Sequence, residues 1–407
     1  MTNALHTANI LLPNPKIDLT KWSVVACDQF TAQPEYWHAV ERIVGNAPSA
    51  LRLVLPEAWL AQSDVRIPGI REAMNRYLTD GTLITAVKDG FALVERTTAA
   101  GVRPGLMVAL DLDEYDYDTG RPGLIRATEG TVLERVPPRA RVRAGAPVEL
   151  PHVMMLIDDP DDTVIGPLMA KRDALRGLYD FELMQNGGHL RGWAVEGADA
   201  QGVFDAIDAL NAGADGLLYA VGDGNHSLAA ARQCWLDLRD GLTPAQRESH
   251  PARYAMVELV NLACPALQFE PIHRVLTGVD PAAVIDAYRA FLRDNGADEG
   301  EGDDLVAFDV RHEWRFRSTQ HPLRLLQGFL DDWLAAHPEA GIDYIHGADA
   351  LRQLVDRPDA MGFMPRAFDK SELFGYIRRW GVLPRKTFSM GEANEKRYYL
   401  EVRKITL

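Results

Sequence analysis

A mixed α/β fold, with a mixed sheet at its core, βαβ units and a more helical C-terminal part, is predicted by three features of this sequence. Short apolar runs bounded by Gly, Pro and Asp alternate with longer amphipathic stretches through the middle of the chain. The chain has 407 residues, enough for two or three domains. Its content of 47% apolar and 25% charged residues is that of a globular protein with a real core.

Taken in order, Trp22–Phe30 reads as a buried strand and Pro34–Gly45 as a helix, since proline is tolerated in a first helical turn. Asp64–Gly81 reads as a second helix, with Gly81 as its stop. Phe91–Thr98, Gly105–Asp118 and Gly123–Val136 read as strands between turn residues. Then come a strand at His152–Asp159, a helix at Gly166–Gln185, and a strand at Leu190–Val195. A helix at Phe204–Gly213, a strand at Gly216–Val221, a helix at Ser227–Arg239 and a strand at Tyr254–Ala263 complete the alternation. The polar stretch 238–253 reads as a loop or linker. Helices follow at Pro281–Asn295, Pro322–His337 and Ser371–Trp380, with short strands at Asp343–Gly347 and Arg397–Leu407. The expected division is an N-terminal α/β region (1–110), a central mixed-sheet core (111–265) and a C-terminal α+β region (266–407).

Composition narrows the function classes. With 58 acidic against 43 basic residues the net charge is −15, which disfavours nucleic acid or a membrane surface as partner and leaves room for a small local basic pocket; the partner expected is a small-molecule ligand. Cys27, Cys234 and Cys264 are too few and too scattered for a disulfide framework or a cysteine metal site. The N-terminus lacks a signal-peptide pattern, and no stretch of about 18 apolar residues is present. The expectation is a cytoplasmic globular protein.

The sharpest local feature is Gly222-Asp223-Gly224-Asn225-His226-Ser227, between an apolar strand and an alanine-rich helix. The glycines allow a tight turn or close approach to a ligand, and Ser227 is a good N-cap. Free N–H groups and the helix dipole then favour an anion. Asp223 and His226 are candidate catalytic groups there. The same sequence also suits a plain turn in which Asp223 and Ser227 cap the helix. Arg126, Arg135, Arg139, Arg141 and Arg143 crowd one stretch, and their guanidinium forks suit phosphate; on a strand, Arg141 and Arg143 would share a face. A solvated strand edge is the competing reading.

The acidic run Asp111, Asp113, Asp116 and Asp118 fails the calcium-loop template, because Tyr115 stands at a ligand position. Asp158, Asp159, Asp161 and Asp162 at a strand end suit a metal or a polar turn, the turn being preferred, and Asp298, Glu299, Glu301, Asp303 and Asp304 read as a solvated turn. Pro271-Ile-His-Arg274 and Leu383-Pro-Arg-Lys-Thr387 are basic segments beside turns, each a phosphate or a surface contact. No metal site is expected. Serine-hydrolase, zinc-protease and Rossmann signatures are absent.

Leu124-Ile-Arg-Ala-Thr-Glu-Gly-Thr131, Glu134-Arg-Val-Pro-Pro-Arg139, Glu149-Leu-Pro-His152, Asp158-Asp159, the Gly222–Ser227 loop, Pro271–Arg274 and Pro384-Arg-Lys-Thr-Phe-Ser-Met-Gly-Glu392 together resemble a family known as domain of unknown function 1015. The Asp-Gly-x-His element is also similar to a loop of the ParB-like and sulfiredoxin-like superfamily, which holds nucleotide phosphates and includes enzymes that phosphorylate free serine. Asp223, Gly224 and His226 match that loop; Ser227 stands where those relatives often carry arginine. The resemblance implies a nucleotide-dependent phosphotransferase acting on a small hydroxyl metabolite, with ATP or another nucleotide and Mg2+. In this picture Gly222, Gly224, Asn225 and Ser227 cradle phosphate, Arg126 and Arg139 add positive charge, and Asp223, His226 and Glu129 are the catalytic candidates. A nucleotide hydrolase and a non-catalytic nucleotide or metabolite sensor are the alternatives.

Overall fold

The computed structural model describes residues 3–115, 117, 123–295, 300–318 and 321–407. It divides into two units: the chain up to Gln268 together with Gly391–Leu407, and Phe269–Met390. The first is built on a ten-stranded sheet. Its strands are β1 (Leu5–His6), β2 (Ala8–Pro13), β3 (Leu83–Thr98), β4 (Gly101–Asp111), β5 (Ile125–Ala127), β6 (Met154–Ile157), β7 (Gly177–Glu182), β8 (His189–Val195), β9 (Tyr219–Asp223) and β10 (Tyr254–Asn261). They lie in the order β5-β9-β6-β10-β4-β3-β8-β7, with β1 on β4 and β2 on β3. The sheet is mixed: β5 and β9 run parallel, as do β6 and β10, and the other pairings are antiparallel.

Two-residue alternation gives this sheet two apolar faces. Ala92 and Val94 of β3, Met107 of β4 and Met256 of β10 face helices α1 (Pro34–Val44) and α2 (Ser63–Thr79) through Trp37, Val40, Ile70 and Tyr77. Phe91, Leu93, Val108 and Leu259 form the opposite core with α4 (Ala198–Gly213) and α5 (Asn225–Arg239) through Val203, Ile207, Leu228 and Trp235. Helix α3 (Val136–Arg143) packs on α5 through Val136, Ala229 and Ala230.

The second unit carries an antiparallel sheet of β11 (Phe269–Thr277), β12 (Gly300–Phe308), β13 (Glu313–Arg317), β14 (Gly341–His346), β15 (Ala360–Pro365) and β16 (Phe388–Met390), ordered β13-β12-β15-β11-β14 with β16 on β11. Helices α6 (Pro281–Asp294) and α7 (Pro322–Ala336) cover it through Tyr288, Phe329 and Leu330. Helix α8 (Leu373–Trp380) buries Leu373, Phe374, Tyr376 and Ile377. No helix among the described residues is long and apolar enough to cross a membrane.

Several local expectations are corrected. The strand expected over Gly123–Val136 is confined to Ile125–Ala127, and Arg141 and Arg143 lie on α3; Pro137 and Pro138 occupy its first turn, where their missing N–H groups cost nothing. Gly166–Gln185 is a helix only at Gly166–Ala170 and then becomes β7, in which Tyr179 is buried against the sheet. Trp22–Phe30 keeps only Val24–Val25 as strand, paired with Tyr398–Tyr399. The stretch 238–253 lies inside the first unit and holds a helix, Pro244–Ser249, closed by a Thr243–Gln246 capping box. Asp303 and Asp304 belong to β12 and pair with Arg315 and Arg366, while Asp298 and Glu299 lie outside the described residues.

The segment after Gly391 is held by buried charge. Arg397 donates to Glu258 on β10 at 2.6 Å and to Glu401, and all three side chains are at most 3% exposed. Glu258 has room because Gly105 lies against it; a Cβ there would meet its Oε1 at 2.6 Å. Arg96 donates to the carbonyls of Lys396 (2.6 Å) and Asn394 (2.8 Å), and Arg403 to Glu149 (2.7 Å).

Burial pushes the Glu258 and Glu149 carboxyls up, but the guanidinium groups beside them outweigh it and hold both below their ordinary value. Their stabilisation is therefore complete above the unfolded carboxyl pKa of about 4.3 and is lost as pH falls through the folded values. The melting temperature should be flat near neutrality and fall below about pH 4. Glu258→Ala, which strands Arg397 beside a cavity, should cost about 3–5 kcal/mol by chemical denaturation. A Glu258→Ala protein as stable as the parent would show that the pair carries no such load.

Candidate functional site

Strand β9 ends at Asp223, and Gly224 turns the chain with φ +84° into α5. An L side chain is strained in that conformation, and a Cβ would also lie 3.1 Å from Val153. Gly224, not Ser227, is the N-cap, and no side chain caps the helix. Ser227 sits in the first turn instead, with its Oγ 2.9 Å from Nε2 of His152. The open N-terminus keeps its partial positive charge directed at the loop.

Asp223 accepts from the Gly224 N–H at 2.9 Å and faces the Lys396 ammonium at 3.4 Å. His226 Nε2 accepts from the Val132 N–H at 3.2 Å, joining α5 to the loop that carries Glu129 and Thr131. Two buried polar atoms in these loops, Asn225 Oδ1 and Thr131 Oγ1, have no hydrogen-bond partner among the described residues. Groups of this kind normally have a partner, so they fit a polar ligand.

A second cluster adjoins Ser227. Tyr399 Oη accepts from the Cys27 N–H at 3.1 Å and lies 2.8 Å from His152 Nδ1. Burial pushes the Tyr399 hydroxyl well above its usual range, so it keeps its proton. The two ring nitrogens of His152 are thus each held by a hydroxyl, Nδ1 by Tyr399 and Nε2 by Ser227. Burial, with the Asp28 charge beside it, pushes the Cys27 thiol up to about 11, so it is no nucleophile at neutral pH. Burial raises Asp28 too, but His152, the Gln29 amide, Arg139 and Lys396 together hold its carboxyl below the ordinary value.

The arginine run is divided. Arg126 donates to the carbonyls of Gly123 (3.2 Å) and Gly216 (3.3 Å), and Gly216 precedes β9 at the end away from Asp223, so its guanidinium is not brought to the loop. Arg139 pairs with Glu57, and its charge reaches Asp28. Arg141 pairs with Asp64, and Arg143 with Glu149 at 2.5 Å. Of the other singled-out residues, Asp111 is paired with Arg253, and Asp113 with Arg232 and Arg239. Asp116 and Asp118 lie outside the described residues. Asp159 accepts from Val164 N–H and Thr163 in a polar turn. Arg274 is fully buried in β11 and not at a surface turn; it donates to the carbonyl of Arg385 at 3.2 Å.

A cavity of about 140 Å³ opens beside this cluster, with Cys27, His152, Arg139, Ser227 and Tyr399 among its polar lining and aliphatic side chains around the rest. Ser227 thus borders the cavity and belongs to the loop. Sequence reasoning missed Asp28, His152, Lys396 and Tyr399 as site residues. Asp28 follows directly on an apolar run and His152 on the Glu149–Pro151 block, which are usable signals. Lys396 and Tyr399 arrive from the C-terminal segment, and nothing in their own surroundings marks them.

No curated protein matches this chain. Among solved structures it is similar to a free serine kinase in complex with AMP, at 11% identity over 74% of this chain and 92% of that one, with a TM-score of 0.37. A conserved hypothetical protein from Pyrococcus furiosus is similar at 12% identity, over 74% and 95% of the two chains, with a TM-score of 0.36. SbnI from Staphylococcus aureus, with a C-terminal truncation, is similar at 8% identity over 70% and 82%, also with a TM-score of 0.36. The family described as Protein of unknown function (DUF1015) matches residues 10–358, running through the sheet, the Gly222–Ser227 loop and most of the second unit, and this chain belongs to that family.

Proposed function

We propose that the chain is a nucleotide-dependent phosphotransferase, holding phosphates at the Gly222–Ser227 loop and passing one to the hydroxyl of a small metabolite. The observation that carries this reading is the convergence at one place of an uncapped helix N-terminus, the Lys396 ammonium and a carboxylate, Asp28, held below its ordinary pKa by His152, the Gln29 amide, Arg139 and Lys396. Phosphoryl transfer requires mainly positioning and charge neutralisation, which such a set supplies. Backbone N–H groups of Asn225 and His226 and the Lys396 ammonium would hold the phosphates.

In the transfer step the acceptor oxygen bonds to the terminal phosphorus as its bond to the bridging oxygen breaks. The nucleotide leaves with that electron pair, and the hydroxyl proton passes to a carboxylate. Asp28 is the carboxylate whose surroundings favour this role, with Glu129 and Asp223 as the other candidates. Among the described residues no three His, Cys, Asp or Glu side chains group to hold a metal ion. Magnesium would thus be held mainly by phosphate oxygens and water, with Asp223 as a protein contact.

Thermal-shift titration with ATP, ADP and CTP, with and without Mg2+, tests the binding half. A ligand at a hundred times its Kd stabilises by about 2.7 kcal/mol, a shift of a few degrees. That shift should vanish in Lys396→Ala and Gly224→Ala proteins that remain folded. No shift with any nucleotide would sink the reading and return the loop to a helix start.

The transfer half is read by single-turnover assays. Asp28→Asn should slow transfer by about 10²–10⁴-fold while leaving ADP affinity within a factor of a few. Equal loss from Glu129→Gln alone, with Asp28→Asn fully active, would move the base to Glu129. Release of inorganic phosphate without any acceptor would favour hydrolysis, and binding without turnover a sensor.

A further inference from the structure

The cavity beside Ser227 differs in character from the loop it adjoins. Its walls include Leu55, Met74, Val148, Leu228 and Met256, and its volume of about 140 Å³ is close to that of engineered apolar cavities that take up a benzene ring. A zwitterionic or polyhydroxylated molecule would surrender its hydration there with little returned.

The polar groups lie in two sets. One is the Ser227–His152–Tyr399 chain, joined by contacts of 2.9 Å and 2.8 Å that place the serine hydroxyl at the cavity wall. The other is Arg143, whose Nη1 is bonded to Glu149 while its buried Nη2 has no hydrogen-bond partner among the described residues. Glu149 is shared with Arg403, at 2.6 Å, so this corner carries two guanidinium groups against one carboxylate. A buried donor on an under-compensated cation is matched by an anionic oxygen from a ligand.

We infer that this cavity binds the phosphoryl acceptor, and that the acceptor is a compact hydroxy acid with an aliphatic or aromatic side chain. Its apolar part fills the cavity, its carboxylate meets Arg143 Nη2, and its hydroxyl lies toward Ser227 and the loop. This rests on the loop being the nucleotide site; the cavity assignment adds the chemical class of the second substrate.

Isothermal titration of the full chain with 3-phenyllactate, 2-hydroxyisocaproate, glycerate and L-serine tests it, with ADP titrated in parallel. The first two acids should bind at least about tenfold more tightly than glycerate or L-serine, because burying their side chains is worth that much or more. Arg143→Met should weaken 3-phenyllactate by about tenfold or more. Leu60→Trp, which fills the cavity from its half-exposed wall, should weaken it similarly, and both variants should keep the ADP affinity of the parent. Glycerate or L-serine binding as tightly as 3-phenyllactate would overturn the assignment, with no variant needed. So would absence of binding by both apolar acids, or 3-phenyllactate binding untouched by both substitutions. Acid binding without ADP binding would support the cavity assignment and count against the nucleotide reading alone.

Discussion

The ion cluster of Arg397 with Glu258 and Glu401 is the constraint on which the rest of the first unit depends. Removing three charges from water is costly, and a guanidinium between two carboxylates is tolerable only when its geometry is held from several sides. Here the sheet supplies Glu258, the carbonyl of Pro151 accepts at 3.3 Å, and Tyr179 donates to Glu401. Arg96 and Arg103 add positive charge that acts on Glu258. The result ties the C-terminal segment to the middle of the sheet. Backbone bonds between Leu11 and Val402 and the bond from Trp22 Nε1 to the Leu400 carbonyl continue the attachment.

That attachment matters because the segment contributes to the site. Lys396 and Tyr399 flank Arg397, so the bonds that fix Arg397 and the Lys396 carbonyl also fix the ammonium beside Asp223 and the hydroxyl beside His152. In a chain of net charge −15, three cations, Lys396, Arg139 and Arg143, stand around the loop and the cavity. Each of these cations already faces a carboxylate. Lys396 and Arg139 each face a carboxylate of their own, while Arg143 shares Glu149 with Arg403, and a phosphate or carboxylate ligand would compete for the same donors.

Particular elements show where sequence reasoning succeeds. The apolar run before Asp223 and the glycine at 224 are short-range signals, so the strand, turn and helix at the loop could be read directly. Pro34 opening α1 is of the same kind. Failures came where tertiary contact overrode local pattern. Ser227 has an excellent N-cap side chain, yet the left-handed Gly224 starts the helix earlier and His152 takes the serine hydroxyl. The type of Arg126 suggests a phosphate ligand, but its guanidinium bonds two backbone carbonyls, of Gly123 before β5 and Gly216 before β9. Gly166–Gln185 had helical composition, and its second half was drawn into the sheet because β8 offers a partner and Tyr179 a buried position.

By itself, then, the sequence determined the mixed α/β class, most of the longer helices and strands, and the position of one anion-friendly turn. These follow from spacing of apolar residues and from the backbone freedom of glycine and proline, which act over a few residues. Only the tertiary structure decided which charges meet. Asp28, His152 and the neighbouring Lys396 and Tyr399 come from three distant parts of the chain, and their convergence depends on strand order and on the buried arginines that hold the last segment in place. A side chain's type states what it can bind; what it does bind is set by which partner reaches it first when water is excluded, and that is a property of the folded whole.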